Sequence, residues 1–238
     1  MEQQFGVIVV AAGKGTRMGM QESKQYLLLQ DKPVLIHTLE RFEAMEQCAS
    51  IALVTGRHDV DRCRIWVEQY QLTKVLDIVP GGEERQHSVY EGLKAIQARN
   101  LNIVLIHDGV RPFVEAEQVL AVGEAAITYG AAVLAVPVKD TIKQVNANGV
   151  ITATPDRSSL WAIQTPQAFR LEDVMRAHDE AGKAGRIGTD DAMLVEQMGI
   201  DVHIVEGSYS NIKLTTPEDL AWADWWLSRS SNNNPEQR

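Results

Sequence analysis

The chain has 238 residues, 45% of them hydrophobic and 23% charged, with a formal net charge of −9. That size and balance suit a globular protein with one sizeable core. The acidic surplus excludes a protein whose task is to hold a nucleic-acid backbone, which needs a broad basic surface, so a polyanion could bind only in a local basic pocket. Cys48 and Cys63 form neither a CxxC pair nor a metal-ligand cluster and read as reduced thiols. The first four residues carry no basic start of a secretory signal, and no stretch approaches the roughly 20 apolar residues that span a bilayer. The expectation is a cytoplasmic protein with no membrane segment.

Residues 6–12 (GVIVVAA) form a continuous apolar run stopped by Gly13, the pattern of a strand buried on both faces. Pro33 opens a helical stretch with Val34, Leu35, Leu39 and Phe42 at helical spacing. Residues 49–54 read as a strand, 59–70 as a helix, 75–79 as a strand closed by Pro80-Gly81-Gly82, and 86–98 as a helix. Residues 102–106, 115–129 and 131–136 continue as strand, helix and strand. This alternation predicts an α/β fold: a single Rossmann-like, mostly parallel sheet with helices on both faces. The rhythm then breaks. Residues 138–154 are rich in β-branched side chains around Asn146-Ala147-Asn148-Gly149, which predicts a hairpin of 141–145 and 150–154. It is either an edge extension of the main sheet or a projecting β-hairpin arm that embraces a second subunit. Residues 160–164 and 201–205 have strand character, and 171–181 and 190–198 read as helices. Thr216-Pro217-Glu218-Asp219 is a helix start: a threonine cap, proline in the first position and acids in the first turn. The last helix carries Trp222, Trp225 and Trp226 as core or subunit contact. The polar, Asn-rich stretch from Ser228 predicts a disordered tail over 229–238.

Ala11-Ala12-Gly13-Lys14-Gly15-Thr16-Arg17-Met18-Gly19 follows the first strand, at the sheet edge where open α/β folds bind ligands. The third glycine falls one residue late for a dinucleotide fingerprint, and the P-loop pattern GxxxxGK[ST] does not occur. Glycines still let backbone N–H groups face phosphate oxygens, and Lys14, Arg17 and Lys24 make a basic cluster in an acidic chain.

With Ser23-Lys24-Gln25-Tyr26 that loop resembles the signature of the methylerythritol phosphate cytidylyltransferase family. Further matches run in order: Gly81-Gly82-Glu83-Glu84-Arg85-Gln86-His87-Ser88-Val89, His107-Asp108-Gly109-Val110-Arg111-Pro112, Pro137-Val138-Lys139-Asp140-Thr141, Asp156-Arg157, Thr165-Pro166-Gln167, Thr189-Asp190-Asp191 and Asn211-Ile212-Lys213. They span residues 8–220. Val10 stands where proline is common and Gly109-Val110 where two alanines are common; neither alters a charged group.

The resemblance implies a nucleotidyltransferase domain over 1–228, with 138–157 as its dimerisation arm, that joins CTP to 2-C-methyl-D-erythritol 4-phosphate in non-mevalonate isoprenoid biosynthesis. A phosphate oxygen that is already an anion attacks the α-phosphorus, so the task is positioning and electrostatics rather than base or covalent catalysis. By resemblance Lys24, Lys213 and Arg17 act on the transferred phosphoryl group. The CTP site comprises Ala11, Ala12, Gly13, Lys14, Gly15, Arg17, Lys24, Gly82, Glu83, Arg85, Ser88, Asp108 and Gly109, with backbone at Ala11, Ala12 and Gly82 and the Ser88 hydroxyl reading cytosine. Arg111, Thr141, Arg157, Thr165, Thr189, Asp190 and Lys213 bind the polyol phosphate, Arg157 and Thr141 reaching across from a partner in a homodimer with shared active sites. Asp108 holds Mg²⁺ with phosphate oxygens and water completing the shell, and His107 packs or hydrogen-bonds rather than catalyses. Ribitol 5-phosphate is the alternative acceptor. A non-catalytic nucleotide-binding dimer would be expected to lack one of Lys24, Asp108 and Lys213, yet all three stand. A sugar 1-phosphate nucleotidyltransferase shares the first loop but not the contexts of Arg157 and Lys213.

Overall fold

The computed structural model describes residues 4–13 and 23–232, with side chains through Arg229. Lys14, Gly15 and Arg17 lie outside the described residues.

Seven strands make the central sheet: β1 (Phe5–Ala11), β4 (Cys48–Thr55), β5 (Val75–Pro80), β6 (Ile103–Asp108), β7 (Ala131–Pro137), β10 (Trp161–Arg170) and β11 (His203–Glu206). Their order is β11-β7-β10-β6-β1-β4-β5. All run parallel except β10, which pairs antiparallel with both β6 and β7. The sheet is therefore mostly parallel, as the alternating pattern predicts. The chain winds outward from β1 through β4 to β5 and then returns to place β6 on the other side of β1. That reversal makes the carboxyl ends of β1 and β6 the topological switch point, the crevice in which such sheets receive ligands.

Alternation along the strands sends side chains into two cores. Val7, Val9, Leu53 and Leu105 point to one face, against α1 (Val34–Glu43) and α4 (Ala116–Tyr129). Ile8, Val54, Val104 and Ile106 point to the other, against α3 (Arg85–Gln97) and α5 (Leu171–Lys183). Each such side chain fully removed from water contributes about 1.5–3 kcal/mol. Helix α2 (Val60–Gln69) and the short α6 (Asp191–Glu196) complete the two layers. A third cluster, Leu29, Val34, Val110, Phe113 and Leu214, lies under α7 (Pro217–Asn232), with Trp222 and Trp226 packed against it. It fixes the segments around residues 110 and 214 side by side. Two-residue strands β2 (Leu28–Leu29) and β3 (Lys32–Pro33) follow a 3-10 turn over Lys24–Tyr26.

The hairpin consists of β8 (Gln144–Val145) and β9 (Ile151–Ala153), a two-stranded sheet separate from the main one. The hairpin is thus a separate two-stranded unit and not an edge extension of the main sheet. Asn146 Oδ1 accepts from the N–H groups of Asn148 and Val150, and Gly149 takes φ +77°, the left-handed region that favours glycine. Val145, Val150 and Ile151 are exposed on the arm.

The helix start at Thr216 is confirmed by its hydroxyl accepting from Asp219 N–H at 3.3 Å. Helix α7 continues to Asn232, however, so the tail expected to be disordered from 229 overlaps its last turn. Contacts of residues 228 and 229 with Trp225 oppose fraying: Ser228 Oγ donates to its carbonyl at 2.7 Å and Arg229 lies over its ring at 5.1 Å.

Candidate active site

Asp108, the last residue of β6, is buried with 6% exposure. Three cations from different segments converge on its carboxylate. Lys213 Nζ lies 2.8 Å from Oδ2, Arg111 Nε 3.5 Å from Oδ2 and Arg85 Nε 3.5 Å from Oδ1. Burial alone would raise the Asp108 pKa, but the charges of Arg85, Lys213 and Arg111 outweigh it and hold the carboxyl well below the usual range. The group is a fixed anion at any physiological pH, surrounded by more positive charge than it neutralises.

Backbone and side-chain hydrogen bonds explain how distant residues arrive there. Leu214 N–H donates to Val110 O, and Arg111 Nη1 donates to Asn211 O at 2.7 Å. Asn211 is fully buried, and its Nδ2 donates to Thr165 O and Gln164 Oε1. These bonds lash the Lys213 segment to the residues just after β6 and to β10. Thr165, expected to line the acceptor pocket, is itself buried. Its Oγ1 accepts from Asp108 N–H at 3.0 Å and lies 3.2 Å from His107 Nδ1, so it orients Asp108. His107 Nε2 meets Arg111 O at 3.0 Å. A carbonyl only accepts, so Nε2 carries the proton and Nδ1 receives the Thr165 hydroxyl. Burial pushes the imidazole down to about 4, which keeps it a neutral packing and hydrogen-bonding group, as the sequence suggests.

Arg85 opens α3 and bridges two acids. Its Nη1 lies 2.6 Å from Asp191 Oδ2, and Asp191 Oδ1 lies 3.1 Å from His178 Nε2. Burial would raise the Asp191 pKa; Arg85 and His178 overcome it and lower the pKa. Asp191 and His178 are missed by sequence reasoning. The Thr-Asp-Asp motif draws attention to Asp190, which instead caps α6 by accepting from Met193 N–H at 2.9 Å and takes a bond from Gln167 Nε2. The signal was the doubled acid: when the first caps a helix, the second lies in its first turn. Thr189 is exposed and makes only sulfur contacts with Met193 among the hydrogen bonds described.

On the other side of the switch point, the loop after β5 packs against the end of β1. Gly81 N–H donates to Thr55 O, and Gly82 N–H donates to Ser88 Oγ at 3.2 Å. A side chain on Gly81 would come within 2.4 Å of Ala12 Cβ and 2.7 Å of Ser88 Oγ, so the glycine is required by close approach. Gly109 N–H donates to Val10 O, and a Cβ there would sit 3.1 Å from Ala11 Cβ. Lys24 follows on the 3-10 turn, where Gln25 Nε2 donates to the carbonyls of Ala11 and Gly13. Thus Ala11, Ala12, Gly13, Lys24, Gly82, Ser88, Asp108, Gly109 and Lys213 all sit at the carboxyl edge of the central strands. Glu83 is exposed in the same loop. Thr141 and Arg157 are not drawn into this group: both are exposed on the arm, and Arg157 Nη1 donates to Lys139 O at 2.8 Å.

Among the described residues no three His, Cys, Asp or Glu side chains gather as a metal site. Asp108 nevertheless suits a divalent cation as a single protein ligand. Its carboxylate is held ionised, and among the described residues Oδ1 has only the long contact to Arg85.

An open sheet that gathers cations and glycine-rich backbone at its switch point, with no nucleophile–base pair among the residues described above, defines the class of α/β nucleotidyltransferases. The family model IspD, 2-C-methyl-D-erythritol 4-phosphate cytidylyltransferase, matches residues 5–229. The chain belongs to that family. The 2-C-methyl-D-erythritol 4-phosphate cytidylyltransferase of Geobacillus thermodenitrificans (strain NG80-2) is 51% identical over 220 residues, 92% of this chain and 95% of that one. Its counterpart in Bacillus velezensis (strain DSM 23117 / BGSC 10A6 / LMG 26770 / FZB42) is 49% identical over 232 residues, 97% and 99% of the two chains. The crystal structure of 4-diphosphocytidyl-2C-methyl-D-erythritol synthase from Anaerococcus prevotii DSM 20548 superposes with a TM-score of 0.83 at 33% identity, covering 95% of this chain and 97% of that one. No helix among the described residues is long and apolar enough to cross a membrane.

Proposed function

We propose that this chain transfers the cytidylyl group of CTP to 2-C-methyl-D-erythritol 4-phosphate, forming 4-diphosphocytidyl-2-C-methyl-D-erythritol and pyrophosphate for isoprenoid biosynthesis. The observation that carries the reading is the convergence of Arg85, Arg111 and Lys213 on buried Asp108 at the switch point, in a chain half identical to cytidylyltransferases of that name.

A phosphate oxygen of the acceptor forms a bond to the α-phosphorus in line with the departing bridging oxygen, and the electron pair of the broken bond leaves on pyrophosphate. No proton has to move, so the protein's contribution is to hold two polyanions together and stabilise the charge they share. Lys213 and Lys24 meet the α-phosphoryl group, and Arg17, Lys14, Gly13 and Gly15 hold the triphosphate. Backbone at Ala11, Ala12 and Gly82 reads cytosine, with Ser88 supporting the turn through its bond from Gly82 N–H. Glu83, Arg85 and Gly109 border the nucleotide. Arg111, Thr165, Thr189 and Asp190 border the acceptor; for Thr165 and Asp190 that role is indirect, through the groups they bond. Asp108 would hold Mg²⁺, which when bound neutralises charge on phosphate oxygens.

Residues 138–157 form the arm of a homodimer, bringing Thr141 and Arg157 to the partner's acceptor site. Support comes from its separation from the main sheet and its exposed Val145, Val150 and Ile151. Mixing Arg157→Ala with Lys24→Ala subunits should restore activity; folded mixed dimers without activity would remove the shared site. The domain is completed by α7, and the protein works in the cytoplasm.

The test is pyrophosphate release from CTP with either 2-C-methyl-D-erythritol 4-phosphate or ribitol 5-phosphate, with and without Mg²⁺. Release with the first acceptor, dependent on Mg²⁺, is expected. Faster turnover of ribitol 5-phosphate, or none of either, would overturn the assignment.

A further inference from the structure

The turn that carries Lys24 is anchored through the two residues after it. Tyr26 is buried, and its hydroxyl lies 2.6 Å from Thr55 Oγ1 at the end of β4. Thr55 O in turn accepts from Gly81 N–H. Gln25 is 3% exposed and uses its Nε2 twice, donating to Ala11 O at 2.8 Å and to Gly13 O at 3.1 Å. Both of its amide protons are thereby spent on the two carbonyls that bracket Ala12.

That geometry has a consequence for the backbone. In a trans peptide the C=O and the following N–H point in opposite directions. A bond that draws the Ala11 carbonyl toward Gln25 therefore turns the Ala12 N–H to the opposite side. The same side chain ties this stretch to the residue next to Lys24 in sequence.

We propose that Gln25 is a positioning residue for the nucleotide. Its carboxamide sets the direction of the Ala12 backbone donor and couples the base-reading edge to Lys24, so that pyrimidine and α-phosphoryl group are held in one register. This rests on the cytidylyl-transfer reading above. A residue that merely filled space would act differently: its loss would lower the folded fraction and so the apparent kcat, leaving both KM values alone. A residue that sets the nucleotide edge changes the KM for CTP and not that for the acceptor.

The experiment compares wild type, Gln25→Glu and Gln25→Met in pyrophosphate release, with CTP and 2-C-methyl-D-erythritol 4-phosphate varied separately and folding followed by thermal melting. Glutamate keeps the shape but faces two carbonyls with a carboxylate; methionine keeps the length without donors. Both variants should raise the KM for CTP about tenfold and lower kcat, with the acceptor KM within about twofold of wild type. If glutamate prevents folding, the methionine variant carries the same comparison. A wild-type KM for CTP in folded Gln25→Met would overturn the inference. Wild-type protein that released no pyrophosphate would overturn the transfer reading, and this inference with it.

Discussion

Asp191 offers a quantitative test of the polar chain behind the site. Its side chain is 1% exposed, 2.6 Å from Arg85 Nη1 and 3.1 Å from His178 Nε2. Replacing it with asparagine keeps the volume and one acceptor but removes the charge. Breaking a buried pair by neutralising one partner costs about 3–5 kcal/mol. Arg85 retains Asp108 at 3.5 Å, and its own side chain is 29% exposed, so the lower end applies. A loss on the order of 3 kcal/mol corresponds to a fall of about 6–12 °C in melting temperature for a domain of this size. The pH dependence has a definite sign. The Asp191 pKa is depressed in the folded state, so its contribution is present above the unfolded value, about 3.9, and is lost as pH falls further. The gap between wild type and Asp191→Asn in calorimetric melts should stay constant from pH 7 to about 5 and close below about 4. Because Arg85 also contacts Asp108, the variant should lose activity even at temperatures where it is fully folded. A melting shift under about 2 °C, or a gap that does not close in acid, would refute the assignment of a stabilising buried charge.

Gly81→Ala should raise the KM for CTP by about tenfold or more in steady-state assays, because the new Cβ meets Ala12 Cβ at 2.4 Å and the backbone must move; an unchanged KM would mean this loop does not touch the nucleotide. His107, pushed by burial to about 4, is neutral when folded and charges more readily when unfolded. Its contribution is therefore present above about pH 6.5 and lost as pH falls through the window down to 4, on the order of 3 kcal/mol. His107→Gln should weaken the loss of melting temperature between pH 7 and pH 5, and equal losses in both proteins would exclude this role.

Much of the fold could be read from the chain because its parallel strands are buried on both faces and so appear as apolar runs, as at Val7, Ile8 and Val9. Strand β10 was visible only in its first part. That part ends at Gln164, and the continuation contains Pro166 and the polar residues Thr165 and Gln167; these side chains break the apolar pattern, although Gln164, Thr165 and Gln167 are all buried. They are tolerated there because the site satisfies them: Gln164 donates to Ser208 O, and Gln167 bonds Asp190 and Ala192 N–H. The polar demands of the site thus hid the strand that supports it. Asp108, Arg111 and Lys213 could be singled out through family motifs, and the fold brings them together. The Arg85–Asp191 pair joins residues 106 apart in sequence, and no local spacing announces it. Gln25 was equally silent, since its importance lies in which carbonyls it reaches. The turn of α7 beyond Ser228 was missed because its composition is polar while its order comes from contacts with Trp225.

The central claim is that Lys213, held on Asp108 at 2.8 Å, supplies positive charge to the reacting phosphoryl group. Its most direct test is the rate of pyrophosphate release by Lys213→Met at saturating CTP and 2-C-methyl-D-erythritol 4-phosphate, with a melting curve on the same sample. Lys213 is 39% exposed, so the fold should survive, while the rate should fall about 100-fold or more. A folded variant that keeps a rate within a few fold of wild type would contradict the account.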